Sequence, residues 1–233
     1  MIRTVAETGS TNADLLVAAR QGAPEADWLR ADRQSGGRGR VGRLWQSPAG
    51  NLYASTIVRL RAGDPPAPEL ALIAGVALEE VATAWLGQDL LRLKWPNDVM
   101  AGDAKLAGIL LERDGDAVVI GFGVNLAVAP PAPDRRTICL GDLGGAAPDP
   151  AAFLEDLAAA FAHWLSRWRG EGLDAIRQRW IERAHPIGTA LAATVADERI
   201  EGLFDGLDLD GALRLRRADG GIERINAGDV FLL

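Results

Sequence analysis

The feature that most constrains the fold is a change of pattern near Pro186. Up to that point, apolar residues recur at spacings of three and four along several long segments, which predicts helices that bury one face. Residues 187–233 instead contain short alternating runs separated by glycines, a pattern typical of a small barrel of about five strands. We therefore predict two domains, residues 1–185 and residues 186–233, within a chain of 233 residues.

The first domain is predicted to combine helices with short buried strands. Thr11 and Asp14 have the spacing of a helix-starting capping box, and Pro150 follows a suitable N-cap residue. Residues 34–43 and 129–150 are rich in glycine or proline and predict loops. The predicted helices cover residues 11–21, 70–86, 150–168 and 172–183, and the predicted strands cover residues 27–33, 51–60, 90–95, 105–112 and 117–124. Within the predicted barrel, strands are expected at residues 193–195, 200–204, 212–216 and 222–225.

Charge and composition exclude several classes of function. With 25 basic and 32 acidic residues, the net charge of −7 argues against a general DNA-binding or membrane-binding surface. The single cysteine, Cys139, excludes an internal disulfide and a cysteine-based zinc site. We expect the two histidines, His163 and His185, to be structural. Because no leader or membrane-spanning segment is visible, we expect a cytoplasmic protein.

The segment from Gln34 to Arg43, called the Gly/Arg loop below, combines glycines with three arginines. Glycines let backbone N–H groups approach a ligand closely, and guanidinium groups suit carboxylate and phosphate. The loop therefore predicts an anion site, with a solvated, mobile basic loop as the alternative. Its glycines also satisfy GxGxxG, but residues 43–48 cannot open the long helix of a Rossmann dinucleotide site, so that fold is excluded.

Further polar residues lie at the ends of predicted strands. In Lys94-Trp95-Pro96-Asn97-Asp98, the proline ends an apolar strand. The side chains after it are compatible with either a ligand site or a plain turn. Lys105 begins another apolar strand and could be simply solvated, although Gly108 in the same strand predicts close approach of a ligand. The run from Gly121 to Asn125 contains two glycines, which predict either such an approach or a β-bulge.

Together these segments resemble the biotin protein ligases along nearly the whole chain. The matching segments, in family order, are Glu7-Thr8-Gly9-Ser10-Thr11-Asn12, residues 37–45, residues 94–98, Lys105-Leu106-Ala107-Gly108-Ile109-Leu110 and Gly123-Val124-Asn125. Residues 206–230 resemble the C-terminal SH3-like β-barrel of the same family. The resemblance implies an α+β fold, in which a class II aminoacyl-tRNA-synthetase-like catalytic domain with a mixed sheet and flanking helices precedes that barrel.

The resemblance also implies a two-step ligase reaction. Biotin's carboxylate attacks the α-phosphate of ATP to form biotinyl-AMP and pyrophosphate. A lysine amine of a carrier protein then attacks the mixed anhydride to form a biotinyl amide and AMP. ATP and biotin are the implied substrates, and magnesium is the implied metal. A lipoate–protein ligase and a non-catalytic biotin sensor are the alternatives, and the Gly-Arg-Gly-Arg sequence at residues 37–40 favours biotin.

The implied partner is the biotin carboxyl carrier domain of acetyl-CoA carboxylase or of another biotin-dependent carboxylase. Ser10 lies nine residues from Met1, which leaves no room for the DNA-binding helix-turn-helix that some family members carry at their N-terminus. This spacing and the net charge predict the monofunctional type, with neither DNA nor a membrane as partner. A monomer or weak homodimer is expected, because relatives can dimerise through a sheet edge.

Carried over residue by residue, the resemblance implies the catalytic residues Lys105, Arg38 and Arg40. The implied biotin-binding residues are Ser10, Thr11, Asn12, Gln34, Gly37, Arg38, Gly39, Arg40, Lys105, Gly108, Leu110, Gly121 and Gly123. The implied nucleotide-binding residues are Arg38, Arg40, Trp45, Lys94, Asn97, Asp98 and Asn125.

The resemblance leaves the roles of two residues open, and the chain departs from the family pattern at two places. Asn97 and Asp98 could hold either nucleotide or metal, and no residue is assigned as a metal ligand. Val41 stands where many family members have a basic residue. The chain ends in Phe231-Leu232-Leu233, where some relatives have an arginine near the phosphates.

Overall fold

The computed structural model describes residues 1–133, 135–144, 146–196 and 198–233. The helices in these ranges are α1 (Thr11–Arg20), α2 (Leu70–Leu86), α3 (Leu140–Gly144), α4 (Pro150–Glu171) and α5 (Asp174–Arg183). In the same ranges, no helix is both long enough and apolar enough to cross a membrane.

The first sheet is mixed and has seven strands. Its order is β1-β2-β3-β7-β6-β5-β4, with β1 and β2 parallel and the other neighbouring pairs antiparallel. The strands are β1 (Ile2–Thr8), β2 (Trp28–Gln34), β3 (Leu52–Arg59), β4 (Leu91–Lys94), β5 (Asp98–Ala101), β6 (Ala104–Asp114) and β7 (Ala117–Val124). This confirms the predicted mixed sheet with flanking helices.

The central strand β3 is covered on both faces, because successive side chains of a strand point to opposite sides. Val58 belongs to the large core that α2 and α4 build on one face. Ile57 belongs to a smaller core on the other face, where it packs with Leu15 of α1. The near-continuous apolar run of this strand follows from that double burial.

Helix capping agrees with the sequence at one helix and corrects it at another. Asp149 caps α4 as predicted, since its Oδ1 accepts from the N–H groups of Ala151 and Ala152 at 2.9 Å. The N-cap of α1 is Ser10, so the prediction of a capping box starting at Thr11 was wrong by one residue. Thr11 is instead inside the helix and buried, which frees its hydroxyl for the site described below.

The second sheet contains five antiparallel strands in the order β11-β10-β9-β8-β12. They are β8 (Ala190–Val195), β9 (Glu198–Leu207), β10 (Leu213–Arg216), β11 (Ile222–Ile225) and β12 (Asp229–Leu232). This matches the predicted all-β pattern of about five strands. Residues of the strand β12 line a cavity together with residues of the first sheet.

Among the described residues, four α-helices or β-strands had no range in the predictions from sequence: β1, β5, β12 and α3. The edge strand β1 has mostly exposed residues, so it lacks the apolar alternation that marks a strand. The strand β5 follows Pro96 at a position where we expected a loop; it pairs with β4 as a tight hairpin. The five-residue α3 lies within the predicted loop 129–150 and is too short for a periodic signal.

A charged network joins α4 to the connection between α1 and β2. Both carboxylate oxygens of Glu25 accept from Arg169 at 2.7 Å, and one of them also accepts from the Arg59 N–H at 2.9 Å. Hydrogen bonding to Arg169 lowers the pKa of Glu25 from 4.5 to about 2, although partial burial opposes the shift. The ionised carboxylate therefore stabilises the folded state.

We expect Glu25→Gln to destabilise the protein by about 2 kcal/mol at pH 7, allowing for screening by solvent. Because the folded-state pKa is depressed, this contribution is complete above pH 4.5 and is lost as the pH falls toward about 2. Urea unfolding of both proteins across this range measures it. The control is Glu201→Gln, which removes an exposed carboxylate paired with Arg199. A difference between wild type and Glu25→Gln that stays constant down to pH 2 would contradict the assignment.

Candidate functional site

A cavity of about 860 Å³ lies between the Gly/Arg loop, the first sheet and the strand β12. Every residue predicted from the sequence to bind biotin or nucleotide lines it, apart from Gly37. The predicted residues in the lining are Ser10, Thr11, Asn12, Gln34, Arg38, Gly39, Arg40, Trp45, Lys94, Asn97, Asp98, Lys105, Gly108, Leu110, Gly121, Gly123 and Asn125. Residues from positions 10 to 125 are thus brought to one place.

One end of the cavity is a neutral hydrogen-bond network. The Gln34 Oε1 accepts from both the N–H and the hydroxyl of Thr11, at 2.9 and 3.1 Å. The Thr11 hydroxyl also contacts the Ser55 hydroxyl at 2.7 Å, and Ser55 donates to the Asn12 Oδ1 at 2.6 Å. Such uncharged donors and acceptors can hold a neutral polar ring.

Ser55 hydrogen-bonds to two of the lining residues, Thr11 and Asn12, and was missed by the sequence reasoning. It lies in β3, which was correctly predicted as a strand, and it is fully buried. The available signal was a hydroxyl side chain within a strand that is buried almost throughout. Such a buried polar group requires hydrogen-bond partners. Its partners, Thr11 and Asn12, are 44 and 43 residues away in sequence, respectively.

The glycines of β7 allow other side chains to lie directly on the strand. A Cβ at Gly121 would overlap the Asn12 amide, which is buried and donates to the Leu110 carbonyl at 3.3 Å. A Cβ at Gly123 would come within 2.5 Å of the Trp45 ring. Side chains of the chain itself therefore lie against this strand, and the approach of a ligand to its glycines stays a prediction.

The other end of the cavity is cationic and is organised around Asp98. This carboxylate is buried and accepts from Lys105 Nζ at 2.5 Å, while Lys94 Nζ lies 3.5 Å away and Arg135 Nη1 lies 3.8 Å away. Burial would raise the pKa of Asp98, but the three cations hold it below its usual value. Burial lowers the pKa of Lys105, although Asp98 opposes this shift.

The cationic end concentrates a rare residue type. The chain has only two lysines, Lys94 and Lys105, and both contact Asp98. All 23 other basic residues, counted without histidine, are arginines. The sequence reasoning missed Arg135, which lies in the predicted loop 129–150. Because Lys94 and Lys105 are the only lysines of the chain, their residue type was a signal that could have linked these two positions.

The Gly/Arg loop is held in place by a different partner at each arginine. Arg38 pairs with Glu112 at 3.2 Å, Arg40 donates to Asn97 Oδ1 at 3.3 Å, and Arg43 pairs with Asp229 of β12. The sequence left open whether this loop holds an anion or is mobile and solvated. These contacts show that protein groups alone can position the three guanidinium groups.

The remaining predicted residues have more local roles in the structure. Gly37 is the predicted site residue that does not line the cavity: its carbonyl accepts from the Trp45 N–H at 2.9 Å, and a Cβ would come within 2.5 Å of the Trp45 carbonyl. The Asn125 amide donates to the Ile138 carbonyl at 3.2 Å, and Asn125 lines the cavity. The indole N–H of Trp45 is buried and has no partner among the described residues.

Comparisons with known proteins agree with this geometry. The model of the biotin/lipoate A/B protein ligase family matches residues 6–125, and that of the biotin protein ligase C terminal domain matches residues 190–233. The biotin–[acetyl-CoA-carboxylase] ligase of Paracoccus denitrificans is 38% identical and covers 97% of this chain and 98% of its own. The corresponding ligase of Mycobacterium tuberculosis (strain ATCC 25618 / H37Rv) is 35% identical and covers 98% and 88%.

A solved structure shows the same fold. The biotin protein ligase from Aquifex aeolicus in complex with biotin and ATP has a TM-score of 0.89 at 23% sequence identity, covering 100% of this chain and 99% of that one. The predicted α+β arrangement, with a mixed sheet, flanking helices and a C-terminal antiparallel β-domain, is confirmed.

Proposed function

This chain belongs to the biotin protein ligase family, and from that premise we propose how its residues perform biotinylation. It is a ligase that uses ATP to activate biotin as biotinyl-AMP and then transfers the biotinyl group to a lysine of a carrier protein. We propose that the carrier is the biotin carboxyl carrier protein of acetyl-CoA carboxylase, as the names of its full-length relatives indicate. Residues 1–185 would form the catalytic domain and residues 186–233 the SH3-like domain.

The observation that carries this function is the difference in polarity between the two ends of the 860 Å³ cavity. Its neutral network around Thr11 and Gln34 suits a polar, uncharged ring, and its cationic cluster around Lys105 suits a carboxylate next to a phosphate. Biotin carries a neutral ureido ring at one end and a carboxylate at the other. Bound with its ring in the neutral network, it would present the carboxylate to the cations.

In the first step two anions must be held in contact, so cations must offset their repulsion. We assign Lys105 to the carboxylate of biotin and the α-phosphate of ATP, with Arg38 and Arg40 on the loop assisting. Asp98 faces three cations rather than open solvent, which favours a role in positioning Lys105 and Lys94. Asn97 positions Arg40 through its Oδ1.

The nucleotide would lie on the loop side of the cavity. Trp45 packs beside Lys105, with its ring centroid 5.5 Å from Nζ, and is assigned to the adenine. Asn125 would accept from the edge of the base through its Oδ1. Because the mixed anhydride hydrolyses in water, closure of the Gly/Arg loop over it would protect the intermediate.

The residues present do not fit a magnesium site held by the protein itself. Across the described ranges, no three histidine, cysteine, aspartate or glutamate side chains are grouped as metal ligands. The buried carboxylate of the cavity, Asp98, already faces Lys105, Lys94 and Arg135. Magnesium would therefore arrive on the phosphates of ATP, as is common for this ion, and we assign it no residue of the chain.

Location and assembly are also part of the proposal. A cytoplasmic protein is proposed because the single cysteine, Cys139, fits a reducing compartment. The net charge of −7 speaks against DNA as a partner. A monomer or weak homodimer remains the proposed assembly.

The test of the proposed function is ATP–pyrophosphate exchange by the purified protein, with biotin, lipoate and octanoate compared as the acid. We expect exchange with biotin only, because the neutral network reads a ureido ring that the other two acids lack. Exchange with lipoate instead would make the chain a lipoate–protein ligase. Tight biotin binding without exchange would make it a non-catalytic sensor.

A further inference from the structure

The start of β12 contacts the Gly/Arg loop through an ion pair and a hydrogen bond. The carboxylate of Asp229 pairs with Arg43 and lies 3.9 Å from Nη1 of Arg40. The carbonyl of the preceding residue, Gly228, accepts from Nη2 of Arg40 at 3.1 Å. Arg40 and Arg43 are therefore both bound to the barrel, and Arg40 also donates to Asn97 in the β4–β5 connection of the first sheet at 3.3 Å.

The barrel side of this contact is well fixed. Asp229 pairs with Thr194 in the antiparallel register of β8 and β12. A Cβ at Gly228 would come within 2.7 Å of the Thr194 carbonyl, so the chain approaches β8 too closely for a side chain there. On the other side of Asp229, the carbonyl of Val230 accepts from Lys94 Nζ at 3.0 Å. Asp229 thus projects from a strand that is anchored on both sides.

The loop side, in contrast, is exposed at its turn. Residues 40–42 form one turn in which no residue is buried. Val41 is 85% exposed and has a φ of 55°, in the left-handed region that is unfavourable for a β-branched residue. This local cost must be offset by contacts from outside the turn. The ion pairs to Asp229 are such contacts.

We propose that Asp229 is an internal anion that occupies Arg40 and Arg43 until a polyphosphate arrives. Carboxylate and phosphate present the same kind of acceptor to a guanidinium group, and Asp229 itself lines the cavity. Phosphate binding is then an exchange of partners, and the fraction of molecules with free arginines limits the apparent affinity. The proposal rests on the proposed function only in taking a polyphosphate as the ligand.

The test is binding of inorganic pyrophosphate to Asp229→Asn, measured by titration calorimetry in metal-free buffer with EDTA. We expect the dissociation constant to fall about five-fold, because the isosteric amide releases the arginines. The matched control is Asp205→Asn in β9: Asp205 pairs with Arg214 and Arg216 and is as buried as Asp229, with 21% against 24% of the side chain exposed. The Asp205→Asn substitution should not alter the dissociation constant of pyrophosphate. An unchanged or increased dissociation constant in Asp229→Asn would overturn the proposal.

A second measurement does not depend on ligand or activity. In the ligand-free protein, amide hydrogen exchange of residues 38–45 should be about ten-fold faster in Asp229→Asn than in wild type, since a held loop is released. The Asp205→Asn variant should exchange like wild type. Equal protection in all three proteins would overturn the role of Asp229 as a restraint, whether or not the chain biotinylates.

A double-mutant cycle separates partner exchange from plain charge repulsion. If Asp229 acts through the loop arginines, its replacement should improve pyrophosphate binding much less in an Arg43→Gln background. Additive effects of Asp229→Asn and Arg43→Gln would mean that the carboxylate merely repels pyrophosphate, and the proposal would fail.

Discussion

Lys105→Ala is expected to lower the rate of biotin-dependent ATP–pyrophosphate exchange by at least about 100-fold. The side chain is the cation closest to Asp98 and lines the same cavity as the neutral network and the loop arginines. Its loss leaves the two reacting anions without the group assigned to hold them both. The rate of exchange at saturating biotin and ATP is the measurement.

Two further variants separate chemistry from folding. Removing Lys105 also leaves the buried Asp98 with fewer counter-ions, which costs about 3 kcal/mol of stability in typical buried pairs. Lys105→Arg keeps the charge, so it should retain most of the stability, yet its planar guanidinium replaces a compact ammonium and exchange should remain low. Arg20→Ala, which removes an exposed cation paired with Asp114, should exchange like wild type. More than a tenth of the wild-type rate in Lys105→Ala would show that the assigned role is wrong.

Gly121→Ala is expected to weaken biotin binding by about 2 kcal/mol, roughly 30-fold. The added Cβ would overlap the Asn12 amide, which cannot move without breaking its hydrogen bonds to Ser55 and Glu112. Asn12 and Ser55 belong to the same network as Thr11 and Gln34, so the neutral end of the cavity would be disturbed. Titration calorimetry with biotin measures the effect.

The control for the added methyl group is Gly170→Ala, because nothing lies within 4 Å of a Cβ at that helical position. It should bind biotin as wild type does. If the effect comes from the clash, then Gly121→Ala should cost little further affinity once Asn12→Ala has already removed the clashing amide. A full 30-fold loss from Gly121→Ala in the Asn12→Ala background would refute the clash as the cause.

Local patterns predicted most of the fold. The period of the apolar residues placed α2 and α4, whose buried faces are the large core of the protein. Glycines spaced along the last 47 residues marked the five-stranded sheet. The edge strand β1 escaped prediction because exposure on both faces removes the alternation on which such a prediction depends.

The site residues divide in the same way. Motifs that combine glycines with charged residues, such as the Gly/Arg loop and residues 94–98, were recognisable without a structure because they depart from ordinary strand and helix patterns. Ser55 and Glu112 were not recognised, since each lies within a strand of unremarkable sequence. Their importance depends on partners far away in the chain, Asn12 and Arg38.

By itself, the sequence determined the fold class, the family and 17 of the residues that line the cavity, because these depend on local periodicity and on motifs of adjacent residues. Only the tertiary structure decided which charges neutralise one another. Asp98 gathers both lysines and Arg135, and Asp229 reaches Arg43 across 186 residues of chain. The physical reason is that an ion pair requires proximity in space, and proximity between distant segments follows from packing of the whole chain.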